Sequence, residues 1–520
     1  MIFEIAEVQL LLIFGIVAFC CLAYKRRRNA QLRLPLPPGP KRMPLLGNVH
    51  QLPVKHQHIT FASWAHEYDL IYFELFHNPM LVLESIEAAN DLLEKRSAIY
   101  SSRPHATVLL DFMGWDSMIS FMPYGATWRM HRRWFQTSLH TNHVIANYQS
   151  LQCREAHTLL VGLLDTPAAF MSHINRFSVA MSMEIAYGQA ATPANNEFIE
   201  EVDALMTAVG EAGSPAASLF DLFPVLSYLP SWMPGAGFKG RFTQLRRTLN
   251  SLVEASRGLL NNDQETTTTT PSFVQSLLEE AVGSESNRAE IERQALGAGI
   301  AFFGAAVDTS TCVLSTLILA LVLHSEVLQK AQEEIDRVIG TSRLPNFNDR
   351  SSLPYVESIL QEVYRWNPPG PLGVPHKLIS DDEYRGYRIP QGTTVIANIW
   401  SMSRNTKFYG PDVEAFRPER FLSMDKETAA AADLRRIVFG FGRRVCPGRY
   451  LGDSNAWIVA ATLMATFNIT KTHDMSGREI TPVISWRPGV VSHPAEFVCD
   501  IRPRSKRATD VIMQTKEVSL

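Results

Sequence analysis

The chain has 520 residues, 46% hydrophobic and 19% charged, with 49 basic and 52 acidic side chains. That length suits one large domain or two to three ordinary ones, and the composition is globular rather than disordered. A net charge of −3 argues against nucleic acid as a main partner, because phosphate binding needs a concentrated positive surface. Six cysteines at 20, 21, 153, 312, 446 and 499 form no CxxC pair. They read as free thiols of a reducing compartment, without a disulfide framework.

In chain order, the first predicted element is a membrane anchor. Val8 to Tyr24 carries no charge over seventeen residues and is followed at once by Lys25, Arg26, Arg27 and Arg28. A helix of that length spans the hydrocarbon layer, and a cleaved signal peptide would have its basic residues before the apolar run. Positive charge stays cytoplasmic, so the remainder of the chain is expected in the cytosol. The division expected is an anchor over 1–28, a stiff proline-rich linker over 29–44 containing "LPLPPGP", and one catalytic domain over 45–520.

From Phe61 to about Gln189 the pattern is mostly helical, broken by strand-like "DLIYFELF" and "NPMLVLES". Helix is expected again from Glu197 to about Leu260, interrupted by the apolar, proline-rich loop Phe223 to Gly237. Thr266 to Thr270 reads as a linker. Ala295 to His324 is thirty residues with one charge, Asp308. Its length would suit a second membrane span, but Asp308, Thr309, Ser310 and Thr311 at its centre are costly in lipid. A long helix crossing a packed domain is the better reading. Ser325–Gly340 and Pro354–Trp366 read as amphipathic helices, and 384–400 as strands around a turn at Gln391-Gly392.

The stretch "FGFGRRVCPG", Phe439 to Gly448, holds the chemistry. A helix is expected from Arg449 to Phe467, which places Cys446 at a helix N-terminus beside Arg443 and Arg444, where dipole and cations favour a thiolate. Gly442 and Gly448 leave room for something flat. A thiolate, a flat wall and two cations suit a haem whose iron takes the sulfur and whose propionates take an arginine. The ordinary alternative is a buried cysteine in a glycine turn.

Phe439, Gly442, Arg444, Cys446 and Gly448 match FxxGxRxCxG, and with them nearly the whole chain resembles the cytochrome P450 monooxygenases. The texture of "PHKLISDDEYRGYRIPQGTTVIAN" is similar to membrane-anchored fungal members of secondary metabolism. The resemblance implies a mainly α fold with small β-sheets, one large helix-rich domain behind a transmembrane helix, and haem b held by Cys446. It implies that Asp308 and Thr309 relay protons, with Ala306 standing where the family has glycine. It also implies that Trp128, Arg132 (four apart on one helical face) and His376 reach a propionate. Glu362 and Arg365 in "ILQEVYRWNPP", three apart on a helix, would be joined by Arg420 of "FRPERF" in a buried charged network. Alone, the pair would be a surface ion pair of little worth.

The activity implied is insertion of one oxygen atom into a small apolar substrate, with electrons from NADPH through a separate cytochrome P450 reductase, and cytochrome b5 as a further partner. The location implied is the endoplasmic reticulum membrane, single-pass, with the catalytic domain cytosolic. Substrate contacts are expected from Ala106 to Met122, where Asp111 and Asp116 are read as isolated, and from the helix face around Phe302, Phe303 and Ala306. Two alternatives stand beside this reading: a haem-thiolate isomerase or dehydratase needing no oxygen, and a membrane haem sensor.

Overall fold

Leu70–Leu75 (β1) and Asn78–Leu83 (β2) are rich in β-branched and aromatic residues and buried along most of their length. They pair antiparallel, Leu70 opposite Leu83 and Leu75 opposite Asn78, across a turn at Phe76-His77. The computed structural model that shows this describes residues 34–65, 68–139, 145–212, 223, 238–260, 271–282 and 288–518. The expected anchor, the start of the linker, the threonine run and all of the 223–237 loop except Phe223 lie outside the described residues.

Beyond β2 the chain is mostly helical. The helices are α1 (Ala126–Leu139), α2 (Gln149–Asp165), α3 (Phe170–Tyr187), α4 (Asn196–Ala212), α5 (Phe238–Leu260), α6 (Phe273–Val282) and α7 (Arg288–Leu323). After them come α8 (Ser325–Val338), α9 (Pro354–Trp366), α10 (Arg449–Thr466) and α11 (Lys506–Val518). Proline at the first turn of α9 costs no hydrogen bond, since that N–H has no intrahelical partner.

The long apolar run is α7, 36 residues and so about 54 Å long. It passes through the protein, packed along α3 and against α5, α6 and α10. Residues 294–304 and 312–322 are buried. In such a core, truncating one leucine costs about 2–5 kcal/mol. Between these stretches Ala305 and Thr309 are exposed, and Ala306, Asp308 and Ser310 partly so. The helix is buried on either side of an opening in its middle.

The strands past α9 differ in pairing from the expectation. His376–Lys377 (β3), Asp382–Tyr384 (β4), Tyr387–Ile389 (β5) and Thr394–Ala397 (β6) all form, but β5 and β6 do not pair across Gln391-Gly392. β6 lies between β2, its parallel neighbour, and β3, giving the order β1-β2-β6-β3. β5 instead pairs with β4 across Arg385-Gly386, whose φ values of 52° and 78° suit a two-residue hairpin turn. Phe467–Thr470 (β7) pairs with Asp500–Pro503 (β10), and Thr472–His473 (β8) with Glu479–Ile480 (β9). The fold is mainly α with small sheets in one large domain.

Candidate functional site

Cys446 lies three residues before Arg449, the first residue of α10, and its backbone N–H donates to the Phe439 carbonyl at 2.8 Å, closing the loop. Gly442, at φ 56°, is required for a reason other than the one expected. A Cβ there would fall 2.1 Å from the Leu93 carbonyl oxygen, so the glycine admits neighbouring backbone rather than a flat ligand. Gly448 is the open one, since a Cβ there would meet only the Cys446 sulfur, at 4.0 Å. The Phe439 ring packs edge-on against Tyr364 at 5.9 Å.

The cations beside the sulfur also differ from the expectation. Arg443 turns away to donate to the Tyr124 hydroxyl at 2.6 Å, and the charges acting on Cys446 are Arg132 and Arg449. Burial pushes the thiol above its ordinary value, outweighing the Gly448 N–H and both arginines. The protein alone therefore favours the thiol, and a coordinated metal ion would be what removes the proton.

Around this loop lies a group of cations, Arg103 and Arg132 buried and Arg444 half-buried, with no anion among the described residues. Arg444 donates to the carbonyls of Ser101, Ile119 and Met122, and its guanidinium lies 4.5 Å from the centre of the Trp128 ring. Arg132 donates to the Val445 carbonyl at 2.5 Å. Arg103 donates to the carbonyls of Ser120, Val374 and Pro375. Among the described residues none of the three has a carboxylate partner. Burial, then the Arg132 charge, pulls Arg444 down to about 9. Burial and Arg444 pull Arg103 well below its ordinary value, and burial lowers Arg132. His376, on β3, is neutralised by burial and then by Arg103, and its Nδ1 lies 2.9 Å from the Tyr100 carbonyl. Trp128 is 5% exposed, and its indole N–H has no partner among the described residues.

Glu362, Arg365 and Arg420 come together as a network. Arg365 donates to Glu362 at 2.7 and 2.9 Å, and Arg420 at 3.2 Å. All three are buried. On α7, Thr309 donates its hydroxyl to the Ala305 carbonyl at 2.8 Å on the open side of the helix. Asp308 does not face that way. It lines a cleft with Asn175 of α3 and Asp203 of α4, and lies against His493 at 2.6 Å.

The family model for cytochrome P450 matches residues 37–498. The chain belongs to the cytochrome P450 family. It is 42% identical over 508 residues to cytochrome P450 monooxygenase 176 of Postia placenta, covering 98% of this chain and 97% of that one. It is 37% identical to cytochrome P450 monooxygenase ple1 of Rhodocybe pseudopiperita, covering 96% and 95% of the two chains. It is 36% identical to cytochrome P450 monooxygenase COX2 of Coprinopsis cinerea, covering 97% and 95%.

The cytochrome P450 is therefore a monooxygenase that carries haem b and takes NADPH electrons through a redox partner. The residues present fit that group: a half-buried sulfur, an open glycine, an unpartnered indole N–H and three guanidinium groups, two buried and one half-buried, lacking a counter-ion among the described residues. Arg103 was not legible in the sequence. It sits in "SSRPH" with no periodic neighbour, and only the fold brings it to Arg444.

Two expectations about substrate contacts are corrected. Phe302 packs among Phe135 and Phe273, and Phe303 against Phe198, so both are core rings; Ala305 and Thr309 form the open face instead. Asp111 and Asp116 are not isolated. Asp116 accepts a two-pronged pair from Arg293 at 2.8 Å, and Asp111 meets His105 at 2.8 Å.

Proposed function

We propose that this monooxygenase oxidises a small, largely hydrocarbon molecule in fungal secondary metabolism, with Cys446 as the residue whose sulfur would hold its haem iron. When bound, the haem supplies dioxygen binding and activation at iron, with the thiolate pushing electron density toward it. Arg103, Arg132, Arg444, Trp128 and His376 would hold the propionates, and Phe439, Gly442 and Gly448 shape the loop that carries Cys446. Thr309, on the open face of α7, holds a proton at its hydroxyl, and Asp308 supplies that side of the helix from solvent. Glu362, Arg365 and Arg420 fix the scaffold. NADPH–cytochrome P450 reductase, with cytochrome b5 as a second donor, brings the electrons.

The observation that carries the reading is the set of three arginines, two buried and one half-buried, without a carboxylate among the described residues. A dianionic ligand there removes an electrostatic penalty that the protein alone leaves in place. The 106–122 stretch, where Val108, Leu109, Met113, Trp115, Met118 and Met122 are buried, is largely apolar, and as the expected wall of the substrate site it would favour hydrocarbon over sugar or nucleotide.

Residues 1–28 would anchor the chain in the endoplasmic reticulum membrane with the domain on the cytosolic side. Leu45 and Val54 are 76% and 83% exposed, and Met43 and Leu46 are exposed beside them. Phe76 donates its N–H to the Leu46 carbonyl and stacks edge-on with Phe223 at 4.4 Å, so the loop starting at Phe223 begins beside these apolar residues. Such a surface suits a bilayer.

The test is the carbon monoxide spectrum of the reduced protein and its Cys446→Ser variant. The native protein should give the red-shifted thiolate band and the variant should lose it. A variant that kept the band would overturn the ligand assignment.

A further inference from the structure

Asp308 and Thr309 are adjacent in sequence, yet one residue along a helix is a rotation of about 100°. Thr309 lies on the open face with Ala305 and donates to its carbonyl. Asp308 lies on the cleft side, where α3 contributes Asn175 and α4 contributes Asp203 and Met206. Its carboxylate oxygen Oδ1 is 2.6 Å from Nε2 of His493, 185 residues away in sequence.

His493 is held by its surroundings. Its carbonyl accepts the Arg487 N–H at 2.7 Å. The preceding residue, Ser492, donates its N–H to Pro369, and its carbonyl receives Asn367 Nδ2 at 2.7 Å and the Cys312 thiol at 3.3 Å. The imidazole is thereby fixed against α7. The side chains of His493 and Asp308 are 24% and 38% exposed, so both meet water as well as each other.

An ordinary half-exposed ion pair contributes little to stability and does nothing more. Two features distinguish this one. The partner is imidazole, the ordinary side chain that gains and loses a proton near neutral pH, where lysine or arginine would stay charged. A second carboxyl also faces it: Asp203 is held above the usual carboxylate range by burial and then by the Asp308 charge. The groups around the pair are Asp203 from α4, the neutral Asn175 from α3 and the buried Cys312 thiol from α7. Arg487, from the loop, is paired with Glu496.

We infer that His493 is a positioning residue that keeps Asp308 supplied with protons from solvent, making Asp203, Asp308 and His493 the entry point for protons used on the open face of α7. The transfer balances simply. Imidazolium gives its Nε2 proton to Asp308 Oδ1, and the neutral imidazole regains one from water on its exposed side. No bond to carbon changes and nothing is oxidised or reduced. The inference rests on the proposed role of Asp308 and Thr309 in proton handling.

The test uses the full-length, haem-loaded protein with reductase, and compares His493→Gln, His493→Ala and Thr309→Ala. Glutamine can still donate a hydrogen bond to Asp308 but carries no exchangeable charge. Both His493 variants should keep haem content and the thiolate spectrum. Both should also divert several-fold more NADPH to hydrogen peroxide, and flatten the pH dependence of coupling. Independently of turnover, the rate of deuterium exchange at the His493 C2–H, read by mass spectrometry, reports whether the ring is held by Asp308. That rate should change in Asp308→Asn. Rescue by His493→Gln to native coupling, or an exchange rate unmoved by Asp308→Asn, overturns the inference. Native coupling in the His493 variants with an uncoupled Thr309→Ala removes the entry point alone. Native coupling in all three removes the proton-handling role and the inference with it.

Discussion

Replacing Glu362 by alanine should come close to unfolding the protein, and the structure sets the size of the effect. The carboxylate accepts four hydrogen bonds: two from Arg365, one from Arg420 and one from the Arg417 backbone N–H. Glu362 and Arg365 are wholly buried and Arg420 is 4% exposed, so no water replaces what is lost. Removing one partner of a buried pair costs about 3–5 kcal/mol, and a stranded backbone N–H adds about 1–3. The sum, roughly 4–8 kcal/mol, approaches the whole stability of a typical domain, about 5–15 kcal/mol. Glutamine keeps one acceptor oxygen and the shape, and should cost roughly half as much. The assay is urea unfolding of the full-length protein, followed by loss of the thiolate carbon monoxide band. Glu362→Ala should lose the band at much lower urea than Glu362→Gln, and Glu362→Gln at lower urea than native. An alanine variant with the native midpoint would refute the view that this carboxylate neutralises two buried arginines.

Burial raises Glu84 to about 7, so the folded state binds its proton more tightly than the unfolded state, and stability falls as pH climbs from about 4.5 to 7. The stability advantage of Glu84→Gln over native should therefore grow by about 3 kcal/mol across that window, measured by urea unfolding at several pH values. Thr309→Ala should bind haem normally while product per NADPH falls and peroxide rises; unchanged coupling would count against its role. Deleting residues 1–28 should release much of the protein from microsomes with its haem intact. Protease added outside sealed microsomes should digest the body of the native chain, and protection would reverse the topology.

Features carried by local spacing were legible in the sequence. The pattern around Cys446, the three-residue step from Glu362 to Arg365 and the apolar length of α7 each arise from contacts within a few residues. What escaped depends on contacts far apart in the chain. Arg103 matters because Arg444 lies beside it, and His493 because it meets Asp308 across 185 residues. Neither position has a period or a composition that marks it. The pairing of β6 with β2 rather than β5 escaped for the same reason, since a turn at Gly392 fits both a hairpin and a change of sheet. Phe302 and Phe303 were misread because an apolar helix face looks alike whether it meets a ligand or another ring.

The chain uses its buried arginines in two ways, and the contrast separates scaffold from site. Arg365 and Arg420 share an internal carboxylate, so their charge is balanced whether or not anything is bound. Arg103, Arg132 and Arg444 have only carbonyl oxygens, which satisfy the N–H groups without cancelling the charge. Like charges held close together and largely out of water raise the energy of the folded state, and each one's depressed basicity is the sign of it. A ligand with two negative groups would lower that energy on binding, so the affinity for propionates proposed above would come from relieving this repulsion. The same residues thus tie folding to cofactor loading: an anion that binds only the folded chain stabilises it in proportion to the logarithm of its occupancy. Giving this cluster its own carboxylate would steady the haem-free protein and weaken its hold on haem, which is the opposite of what the Glu362 network does for the scaffold.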